Sequence, residues 1–242
     1  MNQSNALPAK KPGVIPIIFL FVFLSCIALF SCFLTDESMI DVDYINQVKK
    51  YPTGCESVST VMALNHVGID ITVDEFIDDY LPRAKNPRKN SKGKRVGSDP
   101  NEFFIGNPYT DEGYGCFAPV IKKAVEDLLK DKEIDSVYDV KQLDGYSVQR
   151  MCSSYVRKGV PVIFWASQKM KEVKDGMTWT ISDTGEEFTW KTPMHCLLLV
   201  GYDSQNYYFN DPQTQKQQAY SRKDVEAAYD AMGKQAVVII KK

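Results

Sequence analysis

From residue 44 onward, apolar positions follow a helical period in the first half of the chain and a strand period in the second. Cys55–His66 reads as a helix that Gly68 stops, and Thr72-Val73-Asp74-Glu75 is a capping box for a short second helix ending before Pro82. Val120, Ile121, Ala124, Val125, Leu128 and Leu129 form one stripe of a third helix, about 118–130. A fourth is expected over about 147–157, closed by Gly159. The apolar run 160–165 then predicts a buried strand, and 177–181 and 187–190 flank Asp183-Thr184-Gly185 as a hairpin. Residues 195–202 and 207–210 give two more strands. Ser221 caps a helix to about Met232, and 235–240 makes a last strand. Helices followed by an antiparallel sheet is an α+β pattern.

Residues 14–34 (VIPIIFLFVFLSCIALFSCFL) have a different character and carry no charge. At ~1.5 Å per residue, such a run spans a hydrocarbon core of ~30 Å. Lys10 and Lys11 precede it, while Asp36 and Glu37 follow. The positive flank predicts 1–13 as a cytoplasmic tail and the rest as extracytoplasmic. The run exceeds the ~7–15 residues of a cleaved signal core, which favours a single-pass anchor in the cell membrane. The competing reading is a lipoprotein signal, with Leu29-Phe30-Ser31-Cys32 as a lipobox and Cys32 acylated. Residues 35–43 read as an acidic linker, and 44–242 as one domain with a sizeable core.

A net charge of -2 in 242 residues argues against a dedicated nucleic-acid binder. The exception to that balance is Arg83–Arg95, with seven basic residues and no acid. It reads as a solvated loop, and its charge makes an anionic envelope polymer a candidate partner. Residues 97–119, rich in Gly, Pro and aromatics, read as a long structured loop of the kind that shapes clefts. Of the cysteines, Cys55, Cys116, Cys152 and Cys196 fall in the domain, too few for a disulfide scaffold. They read mostly as buried thiols, with one disulfide among the last three left open.

The candidate chemistry centres on Cys55. In Tyr51-Pro52-Thr53-Gly54-Cys55-Glu56-Ser57-Val58 a glycine turn delivers a thiol to a helix N-terminus, where unpaired N–H groups and the macrodipole favour a thiolate. Downstream, His195 opens an apolar strand, and Asn210-Asp211-Pro212 follows. A thiol attacks a carbonyl only with a base and a group to orient that base; His195 and Asp211 are the candidates. Gln47 could donate an amide N–H to the oxyanion beside the Cys55 N–H. Each residue has a plainer reading: Cys55 as a small core residue, His195 as a hydrogen-bonded core histidine, Asp211-Pro212 as a turn. His66 lies three turns from Cys55 on the same helix and reads as structural. No paired ligand spacing for a metal and no GxxxxGK[ST] loop occurs.

Together, Gln47, Thr53-Gly54-Cys55-Glu56-Ser57-Val58, His195 through Asp203 and Asn210-Asp211-Pro212 resemble the double-glycine (bacteriocin-leader-processing) cysteine peptidases of the papain-like clan. Within that group, the chain is most similar to stand-alone, membrane-tethered bacterial members. The resemblance covers about residues 44–242 and implies a papain-like α+β fold and thiol peptidase chemistry on a peptide or protein substrate, without a metal or organic cofactor. It implies Cys55 as nucleophile, His195 as base, Asp211 as orienting group and Gln47 as oxyanion donor. Two departures stand out. Gln47 lies further upstream than is usual, and no transporter or ATPase domain follows, which leaves the double-glycine substrate open. The alternatives are a cell-wall peptide amidase or acyltransferase using the same triad, and a non-catalytic domain that binds peptide or wall polymer.

Overall fold

The computed structural model describes residues 37–242. Its core is an antiparallel sheet in the order Gln218–Ser221, Asn206–Asn210, Met194–Tyr202, Val162–Ser167, Ala236–Lys241, Tyr138–Gln142. Ser38–Met39 adds a short pairing at the far end of the Met194–Tyr202 strand. The last strand of the chain therefore lies inside the sheet, between Val162–Ser167 and Tyr138–Gln142. Every residue of Met194–Tyr202 and of Val162–Ser167 is buried, as central strands covered on both faces must be.

The helix Cys55–His66 packs on the Met194–Tyr202 strand and is buried continuously from Cys55 to Leu64, Glu56, Ser57, Ser59 and Thr60 included. Burial on all sides explains why it shows no polar face. Gly68 takes φ +87°, which ends the helix, and His66 Nε2 pairs with the Gly159 carbonyl at 3.0 Å, a structural role. Three further helices begin at side-chain caps, two of them, Thr72 and Ser221, expected from the sequence. Thr72 Oγ1 accepts from Glu75 N, Ser147 Oγ from Arg150 N and Ser221 Oγ from Asp224 N.

A second sheet joins Arg88–Lys89, Arg95–Gly97, Lys174–Ile181 and Glu187–Thr192. Its aromatics form a cluster. Phe117 stacks on Trp190, and Tyr114 meets Trp190 and Trp179 edge-on.

Four expectations need correction. The basic stretch is not a plain loop: Arg88 pairs with Val96, and Val96 with Thr180, so a small hairpin is stitched to the second sheet. Residues 38–42 are not linker, because Ile40 N donates to Val200 O and Val42 is buried. Tyr138–Gln142 and Gln218–Ser221 are strands that the apolar pattern did not mark. The single-pass membrane localisation is withdrawn. No helix of the described residues is long and apolar enough to cross a membrane, and the run 14–34, with Cys32, lies outside them.

Candidate functional site

The turn before Cys55 fixes where the thiol enters. Gly54 N donates to Tyr51 O at 2.9 Å, and a Cβ at position 54 would lie 3.0 Å from Tyr51 Cβ and 3.3 Å from Pro108 Cβ. A side chain here would have to push Tyr51 and Pro108 aside by a few tenths of an ångström. The Met194–Tyr202 strand outruns its neighbour Asn206–Asn210, whose pairing begins at Leu198. Cys196 therefore has a backbone edge without a strand partner on that side. The helix fills the gap: Cys196 N–H donates to Cys55 Sγ at 3.4 Å, and Ser59 Oγ, one turn further on, donates to Cys196 O at 3.3 Å. Cys55 is thus anchored on the residue that follows His195.

His195 is fully buried, and its Nε2 pairs with Asp211 Oδ1 at 2.8 Å. Asp211, also fully buried, receives Gln213 N–H on Oδ1 at 3.0 Å and Tyr220 O–H on Oδ2 at 2.7 Å. Burial alone would push this carboxyl up. The hydrogen bond and charge of His195, with Tyr220 and Gln213, outweigh it and leave the Asp211 pKa lowered. An ionised Asp211 accepts a hydrogen bond from Nε2–H, which favours the tautomer with Nδ1 as the acceptor nitrogen. Nδ1 is buried and has no hydrogen-bond partner among the described residues.

The Asn210-Asp211-Pro212 run is locked residue by residue. Asn210 Nδ2 donates to Val42 O, Tyr44 O–H to Asp211 O, and Gln47 N–H to Pro212 O at 2.9 Å. That last bond draws Gln47 to the site. Its Nε2 donates to Pro52 O at 3.0 Å, and its Oε1 is buried without a partner among the described residues. Sequence reasoning expected this amide to point at an oxyanion; here one of its N–H groups is taken by the cleft-lining Pro52.

The thiol differs most from expectation. Burial pushes the Cys55 pKa well above its ordinary value, and the neighbouring Glu56 and Cys196 add to the rise. A helix N-terminus contributes typically ~0.3–1 kcal/mol toward an anion. Full burial can shift a pKa by ~3–5 units, at ~1.36 kcal/mol each. Burial wins, and Cys55 rests as a neutral thiol whose S–H donates to Glu56 Oε2 at 3.3 Å. Sequence reasoning assigned no role to Glu56 or to Tyr220. An acid in a first helical turn reads as ordinary, and Tyr220 lies nine residues beyond Asp211 in an unmarked strand.

Cys55 opens onto a cleft of about 420 Å³, lined also by Thr53, Gly113, Tyr114, Trp190 and Gln213. The aromatic hairpin forms one wall, the residues before Cys55 another. A separate open cavity of about 430 Å³ contains Arg83, Lys85 and Arg88. The loop between the cavities touches both: Thr53 Oγ1 bonds Asn107 O and Thr110 O, which belong to residues lining the basic cavity. Cys55, Cys116 and Cys196 are free, buried thiols, and Cys152 is buried as well.

Comparison with known proteins agrees with this architecture. A Bacillus anthracis crystal structure assigned as a C39-like peptidase superposes with a TM-score of 0.70 at 26% identity, covering 85% of this chain and 98% of the other. The uncharacterized protein YvpB of Bacillus subtilis (strain 168) is 30% identical over 204 residues, 84% of this chain and 76% of that protein. The model of the Peptidase_C39 like family matches residues 39–237, which include Gln47, Cys55, His195 and Asp211, and the chain belongs to that family.

Proposed function

We propose that this protein is a cysteine peptidase that hydrolyses peptide bonds through Cys55, His195 and Asp211. The observation that carries the reading is the placement of His195. Its Nε2 is paired with a buried, lowered-pKa Asp211, while Nδ1 is buried without a partner among the described residues, one residue from the strand position that holds Cys55 Sγ. A buried polar nitrogen without a partner is costly. A thiol donating to it would remove that cost and activate the sulfur in the same step.

The steps follow from that arrangement. The Cys55 S–H proton moves to His195 Nδ1 as Sγ bonds to the peptide carbonyl carbon. The oxyanion is met by the Cys55 N–H, which as the first residue of its helix has no intrahelical partner, and by the second N–H of the Gln47 amide. The imidazolium, held by Asp211, protonates the leaving amine. Water then attacks the thioester, His195 takes its proton, and that proton returns to the sulfur as the acid leaves.

The substrate is a peptide or protein segment entering the aromatic-walled cleft. The basic cavity is the proposed contact for an anionic polymer, which salt-sensitive binding to a soluble polyanion would check. The reaction itself is tested by mass-spectrometric profiling of an unbiased peptide library. Wild type should produce discrete cleavage products and Cys55→Ser none. Turnover unaffected by Cys55→Ser would overturn the assignment. Binding without cleavage would identify a non-catalytic peptide-binding domain.

A further inference from the structure

The carboxylate beside the nucleophile is the least explained group in the molecule. Glu56 is fully buried, yet no cation of the described residues is among the groups that set its ionisation. One oxygen, Oε1, accepts the Cys116 N–H at 2.7 Å; the other, Oε2, accepts the Cys55 S–H at 3.3 Å. Its place is built from outside the helix. Gly115 has φ +121°, and a Cβ there would lie 2.3 Å from Glu56 Oε1 and 2.5 Å from Met194 Cε. The titratable groups that bear on it are Cys55 from its own helix, Cys116 from the loop before the Ala118–Asp131 helix and Cys196 from the central strand. The missing Cβ of Gly115 leaves room for one carboxylate oxygen, and the other lies on the thiol.

We propose that Glu56 is a positioning residue for the nucleophile: its carboxylate holds the Cys55 S–H in a resting position on the Cys196 N–H, and the sulfur must leave that hydrogen bond to reach His195 Nδ1. The inference rests on the cysteine peptidase reading for its consequence, though not for its geometry. Sγ has two partners at rest, Glu56 Oε2 and Cys196 N–H. Nδ1 of His195 has none among the described residues. No atoms are exchanged in the switch; one S–H hydrogen bond is given up and another is made. The ionisation state of Glu56 sets the bias. As a carboxylate it accepts from S–H and opposes a thiolate. As a neutral acid it donates O–H toward the sulfur and supports one. Burial raises its pKa to about 7, so both forms are accessible near neutrality.

Alkylation of the full-length protein by iodoacetamide, followed at the Cys55 peptide by mass spectrometry from pH 5 to 10, needs no substrate and reads the thiol directly. In wild type, labelling of Cys55 should be slow at pH 7.5 and rise only above pH ~9, as for a thiol whose pKa lies above the usual ~8.5. In Glu56→Gln the amide can keep its oxygen on Cys116 N–H and turn its N–H groups to the sulfur. Labelling at pH 7.5 should then rise about tenfold or more, the equivalent of one pKa unit, with the profile displaced to lower pH. A folded Glu56→Gln variant whose profile matches wild type within twofold would reduce Glu56 to a structural acid. Should that variant not fold, the wild-type profile decides alone: a labelling midpoint at or below pH 7 would overturn the resting arrangement. Peptide hydrolysis is measured on the same samples. A shifted profile without hydrolysis in any variant would keep the Glu56 inference and end the peptidase reading; hydrolysis with an unshifted profile would do the reverse.

Discussion

Tyr220 donates its hydroxyl to Asp211 Oδ2 at 2.7 Å, on the carboxylate whose other oxygen holds His195. The sheet-edge strand Gln218–Ser221 therefore reaches back to orient the histidine. Hydrogen bonds to a charged acceptor contribute ~1.5–3 kcal/mol each. Tyr220→Phe should lower stability at neutral pH by an amount in that range and slow peptide hydrolysis less than any change at His195. Urea denaturation and turnover on one substrate would check both. A Tyr220→Phe variant as slow as His195→Ala would mean the tyrosine touches substrate.

Because Asp211 is held ionised by its partners, its contribution to stability has a defined pH direction. Its folded pKa is lowered, so the stabilisation is present above the unfolded value of ~3.9 and is lost as pH falls through the folded value. Asp211→Asn should flatten the acid limb of the stability–pH curve. In hydrolysis, the variant should lose a factor on the order of 10⁴, since an amide does not enforce the Nε2–H tautomer. An unchanged acid limb in the variant would argue against an ionised Asp211.

Glu56 works in the opposite sense. Its pKa is raised from 4.5 to about 7 in the fold, so the folded state binds its proton more tightly than the unfolded chain. The favourable contribution is full below pH ~4.5 and is lost as pH rises through about 7, a swing on the order of 3 kcal/mol at ~1.36 kcal/mol per unit. Wild type should therefore lose stability between pH 5 and 8 relative to Glu56→Gln. Parallel denaturation series at the two pH values measure the difference; equal slopes would show that Glu56 does not titrate in that window.

Gly115→Ala should be among the most damaging small substitutions. It forces a side chain into φ +121° and into contact with Glu56 Oε1 and Met194 Cε. Strain of this kind costs ~1–3 kcal/mol before the clash is counted. The expected result is a lower denaturation midpoint together with a changed Cys55 alkylation rate, because the displaced group touches the thiol. Gly145→Ala is the control: its φ is +70°, with open space around the added methyl.

The parts of the fold that were legible in the sequence are those where one physical signal dominates. The glycine turn into Cys55, the caps at Thr72 and Ser221, and the hairpin around Asp183-Thr184-Gly185 are local signals, and each produced its element. The strands at Tyr138–Gln142 and Gln218–Ser221 were not legible because they sit at the sheet's edges, where a strand needs few apolar residues; only Val140 is buried in the first and no residue in the second. At the site, the sequence pointed to Cys55, His195 and Asp211, which the fold brings into one buried cluster, and it predicted a thiolate where burial favours the thiol. The helix N-terminus is visible in the sequence, whereas the burial that outweighs it comes from strands and loops distant in the chain. Glu56 was hidden for the same reason. What could have drawn attention to it is the company it keeps: Glu56, Ser57, Ser59 and Thr60 leave the first turns of that helix without a clean apolar stripe, the mark of a helix covered on all sides.

The placement of Ala236–Lys241 inside the sheet makes the site depend on a strand that supplies no group to it. These residues fill the slot between Val162–Ser167 and Tyr138–Gln142. Val162–Ser167 in turn holds the His195 strand in register, with Ala166 opposite His195. Damage to Ala236–Lys241 would therefore reach His195 and the surface on which the Cys55 helix docks through one intervening strand, so loss of activity from a change there would report on support for the site rather than on its chemistry.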